Sequence, residues 1–135
     1  MSEENVEAVR LGQEAINRRD VEAVLQGLDP EVEWHDVFQV MLGGEAKVYR
    51  GHAGVRDMFR DLYEAFIEIR GEFSEIRDLG DRIVVIGRLS ARGKQSGAEI
   101  ESPLGSMLQF RHGRAVQIRT YLDPKEALEA AGLRE

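Results

Sequence analysis

The chain has 135 residues, close to the size of a single domain and long enough to enclose one hydrophobic core. Its 42% apolar and 32% charged residues are those of an ordinary globular protein, and the absence of cysteine excludes disulfides, thiolate nucleophiles and Cys-based metal centres. A formal charge of −7 opposes contact with phosphate backbones, no apolar run approaches the roughly 20 residues of a membrane span, and the acidic start lacks the features of a secretory signal. No nucleic-acid or membrane partner is therefore expected, and the expected location is cytoplasmic.

Val6, Val9, Leu11, Ala15 and Ile16 recur at near-helical spacing after Ser2, with Glu3 and Glu4 at the positive end of the predicted first helix. Asp20 caps a short second helix carrying Val21, Val24, Leu25 and Leu28, which Asp29-Pro30 is expected to end. Glu31 to Asp36 alternates as a brief strand. Phe38 to Gly51 is read as a loop with Gly43-Gly44 as its most flexible point. Val55, Met58, Phe59, Leu62, Tyr63 and Phe66 then fall at i, i+3, i+4, i+7, i+8 and i+11, which predicts an amphipathic third helix.

From Ile67 the period becomes that of strands. Turns are predicted at Gly80-Asp81, across Gly93 to Gly97 and at His112-Gly113, with a bulge where Pro103 and Gly105 interrupt a strand. Asp123-Pro124-Lys125-Glu126 carries the signature of a capped final helix, which Gly132 stops. The predicted order is helix, helix, strand, helix, a strongly curved antiparallel meander and a short C-terminal helix, all in one domain over residues 1–135.

Four phrases carry a resemblance across nearly the whole chain: 15–20 (AINRRD), 32–36 (VEWHD), 49–55 (YRGHAGV), and 121–123 (YLD) running into 126–133 (EALEAAGL). In their order and spacing the chain resembles the SnoaL-like, ketosteroid isomerase-like proteins of the NTF2-like superfamily. The resemblance implies an α+β cone, with a curved sheet and three N-terminal helices around a single apolar cavity, and a homodimer paired through the sheet's outer face. It does not by itself define a function, because that scaffold hosts isomerases, cyclases, dehydratases, hydrolases and noncatalytic modules.

Asp36 ends the first strand and opens the loop, at about the point where proton-transferring relatives place an acidic base. Strand parity puts Val32, Trp34 and Asp36 on one face and His35 on the other, which favours Asp36 as the catalytic base over His35. The alternatives are a turn-closing surface Asp and a hydrogen-bonded structural His. Trp34, Phe38, Met58, Phe59 and Tyr63, with Val116, Ile118 and Thr120 of the last strand, are the candidate walls of a site for a small apolar or aromatic molecule. The same aromatics at the same spacing serve equally as core.

His52 and His112 suit their local backbone positions, and no spacing of His and acid marks a metal site, so neither metal nor cofactor is called for. Set against the steroid isomerases, whose oxyanion hole is a Tyr and a protonated Asp, the chain has Gly12 and Ser106 at the corresponding places, and Thr120 stands nearest the last-strand acid of the cyclases. The functions left open are an acid–base enzyme using Asp36, a noncatalytic ligand carrier or sensor, and an interaction module. The cavity is expected to open near Asp36 and the 38–51 loop.

Overall fold

The computed structural model describes residues 2–41 and 44–133, so Gly43 of the predicted Gly43-Gly44 pivot lies outside the described residues. Helix α1 (Ser2–Asn17) buries Val9 and Ala15, but Leu11 stands exposed. Two helical steps put Leu11 about 200° around the axis from Val9, off the buried stripe that the sequence pattern assigned it to. The Asp20 carboxylate accepts from the Ala23 N–H and caps α2 (Val21–Gln26), which ends at Gly27, earlier than the Asp29-Pro30 stop.

Strand β1 (Leu28–Asp36) accordingly starts three residues before the expected strand. Pro30 is tolerated because it falls in an irregular stretch between the Leu28–Ala115 and Glu33–Gln117 pairs, where the ladder loses no bond by its missing N–H. The segment read as loop holds a helical turn, α3 (Phe38–Met41), and an edge strand, β2 (Lys47–Arg50), paired antiparallel to β1 with Tyr49 turned inward. Helix α4 (Gly51–Ala65) follows, burying Val55, Met58, Phe59 and Leu62. Phe66 is also buried, but as the first residue of the next strand.

Strands β3 (Phe66–Asp78), β4 (Arg82–Gly93), β5 (Glu99–Arg111) and β6 (Arg114–Tyr121) form the meander. His112 and Gly113, both at positive φ, make the tight β5–β6 turn. Among the described residues the curved, unclosed sheet has six strands in the order β2-β1-β6-β5-β4-β3, with β1 and β6 parallel.

The bulge expected at Pro103 and Gly105 is absent: β4 and β5 pair without a shift from Arg82–Gln109 to Arg92–Glu99. Pro103 fits because β6 reaches only as far as Gly105, leaving the other side of β5 free of a partner there. Gly105 serves packing instead, since a Cβ there would lie 2.9 Å from Ala127 Cβ and Pro124 Cα of α5 (Pro124–Ala130). Register shifts do occur between Phe73 and Glu75, and between Gln109 and Phe110.

The two faces of the sheet are covered differently. The main core lies on the concave side, where α1, α2 and α4 pack against residues including Val32, Trp34, Ile83, Val85 and Ile118. On the convex side α5 lays Ala127, Leu128 and Ala131 over Val84 and Met107 in a smaller cluster. Asp123 caps α5 by accepting from Lys125 N–H at 3.0 Å, and Gly132 at φ +83° ends it.

Candidate functional site

The concave side encloses a cavity of about 460 Å³, within the range of small-molecule sites. Trp34, Phe38, Phe59, Leu62, Phe73, Leu104, Phe110 and Ile118 are among the large apolar side chains around it. Trp34 meets Phe59 edge to face at 5.6 Å, which holds both rings in the wall. Among the described residues the polar side chains of the lining are Gln13, Arg18, Gln26, Ser106 and Thr120, besides the indole of Trp34.

The exposed members of the lining are Leu11 on α1, Arg18 just after it, and Gln26 at the end of α2. Among the described residues the mouth therefore lies at these helices and not beside Asp36, because the segment expected as open loop folds into α3 and β2.

Of the residues singled out from sequence, Trp34, Phe38, Phe59, Ile118 and Thr120 line the cavity. Met58, Tyr63 and Val116 do not. Met58 is buried in the core, and Tyr63 turns to α1, its hydroxyl donating to the Ile16 carbonyl at 3.3 Å with the Arg19 guanidinium over its ring. Burial raises the Tyr63 phenol above its ordinary pKa, and Arg19 opposes the rise.

Val116 is displaced by an irregularity that strand parity alone does not reveal. Phe110 pairs with Ala115 and Gln109 with Gln117, so Val116 is the extra residue of a bulge and Ala115 takes the inward place. Gly12 and Ser106, aligned with the oxyanion-hole positions of the steroid isomerases, both face the cavity.

Asp36 has the least ordinary environment in the molecule. It is 2% exposed, and neither carboxylate oxygen has a well-formed hydrogen bond among the described residues. Burial pushes its pKa from 3.8 up to about 7, against a smaller opposing pull from the backbone N–H groups of Phe38 and Val37. Its carboxyl group is therefore able to hold or release a proton near neutrality. Asp36 is not itself among the lining residues, although Trp34 and Phe38, two positions to either side, both are.

His35 points to the other face, as parity requires, with Nε2 3.5 Å from Glu33 Oε1. Arg50 pairs with the same Glu33 and holds its carboxyl below the usual range. His52 Nε2 lies 3.0 Å from the Leu28 carbonyl and ties α4 to the start of β1. Among the described residues no group of three His, Cys, Asp or Glu is placed to hold a metal ion. No described helix is long and apolar enough to cross a membrane.

Two parts of the site were not anticipated. One is the rim on α1 and α2; the other is a hydroxyl pair, Ser106 Oγ donating to Thr120 Oγ1 at 3.3 Å across β5 and β6. The alternation of Leu104, Ser106, Leu108 and Phe110 carried the signal for Ser106, since all four face the cavity.

Residues 9–118 match the SnoaL-like domain family, and the chain belongs to that family. Its fold is that of NTF2-like proteins. An NTF2-like protein of unknown function from Burkholderia pseudomallei K96243 superposes with a TM-score of 0.80 at 29% identity, over 93% of this chain and 95% of that one. TerC, crystallised with polyporic acid, aligns at 26% identity and a TM-score of 0.78, over 89% of this chain and 92% of its own. A protein of ketosteroid isomerase-like fold from Catenulispora acidiphila DSM 44928, in complex with trimethylamine, shares the fold at 12% identity and a TM-score of 0.76, over 94% and 93% of the two chains. A comparison with curated proteins yields no match.

Proposed function

We propose that this SnoaL-like protein binds a small, largely apolar molecule and acts on it as a cofactor-independent acid–base enzyme of the isomerase, cyclase or dehydratase type, with Asp36 moving the proton. The observation that carries the reading is the Asp36 carboxyl: sealed from solvent, without a well-formed hydrogen bond among the described residues and poised near pH 7, between two residues of the cavity wall. The apolar wall suits a flat or aromatic ligand, and the crystallisation of TerC with polyporic acid is in keeping with small-molecule binding on this fold.

The test is deuterium exchange at the carbon beside the carbonyl of 2-decalone in D₂O, followed by NMR. The wild type is expected to accelerate exchange, and Asp36→Asn to lower that acceleration by roughly 10²- to 10⁴-fold. Exchange unchanged by the substitution would overturn the role of Asp36.

A second reading, a noncatalytic carrier or sensor, is favoured by one fact: Asp36 does not line the cavity. It predicts that 2-decalone raises the melting temperature of wild type and Asp36→Asn alike, with no exchange by either. Pairing of two copies through the outer sheet face is part of the proposal. It predicts a solution mass by light scattering of twice the 15.2 kDa chain, and a single-chain mass would refute it.

A further inference from the structure

The polar groups around the cavity are not equally available to a ligand. Arg18 and Gln26 stand exposed at the rim. The Gln13 amide nitrogen already donates to the Gly71 carbonyl at 2.6 Å and to Asn17 Oδ1 at 3.3 Å, fastening α1 to β3. Ser106 and Thr120 are different: both face the cavity, they are only 9% and 5% exposed, and among the described residues each side-chain hydroxyl is hydrogen-bonded only to the other.

Two hydroxyls carry two protons, and their mutual bond uses one. Whichever of them donates, one O–H remains without an acceptor among the described residues, together with vacant oxygen lone pairs. A buried donor left unmade costs about 1–3 kcal/mol, so this corner of an otherwise apolar wall is built to meet a polar atom.

We propose that Ser106 and Thr120 form a subsite for one oxygen of the ligand, a carbonyl or hydroxyl on an otherwise apolar body. The pair can donate to a carbonyl and both donate to and accept from a hydroxyl, but brings no charge for a carboxylate or phosphate. Its placement suits chemistry at the neighbouring carbon. Trp34–Ile118 and His35–Arg119 are the last pairs along β1 and β6, and Asp36 and Thr120 are the residues that follow them on the two strands.

This inference rests on the small-molecule reading above, and two shape-matched probes separate the failure of one from the failure of the other. Isothermal titration calorimetry with 1-naphthol and 1-methylnaphthalene is expected to show tighter binding of 1-naphthol to the wild type. The double variant Ser106→Ala, Thr120→Val is expected to lose about tenfold in affinity for 1-naphthol and to hold 1-methylnaphthalene at least as well as the wild type. Retained binding of the hydrocarbon shows that the variant is folded. Thr120→Val alone, which keeps the side-chain shape, repeats the test with a smaller loss in the same direction should the double variant fail to melt cooperatively.

Equal affinity of the wild type for both probes, or an unchanged affinity of the folded variants for 1-naphthol, would overturn the subsite and leave the small-molecule reading standing. Binding of neither probe by the wild type would overturn both.

Discussion

The two faces of the sheet put similar side chains to opposite uses. On the convex face Ala127, Leu128 and Ala131 close directly over Val84 and Met107, and Gly105 exists to let α5 approach. On the concave face Trp34, Phe59, Leu104 and Ile118 stand around about 460 Å³ of unfilled space, with the Asp36 carboxyl buried between two of the lining residues, Trp34 and Phe38. Close packing is the rule in protein interiors, so the convex face is packed for stability, while the concave face leaves the space that the proposed binding would use. The difference teaches that apolar burial alone does not distinguish a core from a site; vacant space and a buried titratable group do.

The largest effect expected from breaking this contrast concerns Asp36. Its pKa is raised in the folded protein, so below about pH 4 the carboxyl is neutral in folded and unfolded chains alike and carries no penalty. Between about pH 4 and 7 the unfolded chain releases the proton while the folded one keeps it, and stability falls until it levels off above 7. A shift of about three units corresponds to at most about 4 kcal/mol. Asp36→Asn, uncharged throughout, is therefore expected to be roughly 2–4 kcal/mol more stable than wild type at pH 8 and nearly equal to it at pH 4. Urea denaturation across that range checks it, and a gap that does not grow with pH would count against a buried neutral acid.

A smaller effect sharpens the contrast from the other side. Leu128→Ala opens a void in a filled cluster and should cost about 3 kcal/mol. Leu104→Ala only enlarges a space already present and should cost roughly 1.5 kcal/mol. Equal losses in paired melts would mean that the concave side packs as tightly as the convex one.

What could be foreseen from the sequence follows the length of each pattern. Helix α4 and the meander were legible because Val55 to Leu62 hold a helical period over about two turns and β3 to β6 each run for eight residues or more. Strand β2 was not, since Lys47 to Arg50 offers a single inward side chain, Tyr49, and its pairing with β1 is a tertiary fact. Parity assigned Asp36 and His35 to their correct faces, yet misplaced Val116, because a bulge shifts the alternation by one residue and leaves no local mark. Trp34, Phe38 and Phe59 were found at the cavity while Met58 and Tyr63 were not, since periodicity names the buried face of a helix but not which part of that face borders empty space.

Asp36 is proposed above as a proton-exchanging group poised near neutrality between two residues of the cavity wall. NMR titration of the ¹³C-labelled side-chain carboxyl of Asp36 in the ligand-free protein tests it most directly. A midpoint at about 7 is expected. A midpoint below about 4.5, ordinary for a solvated carboxylate, would contradict it.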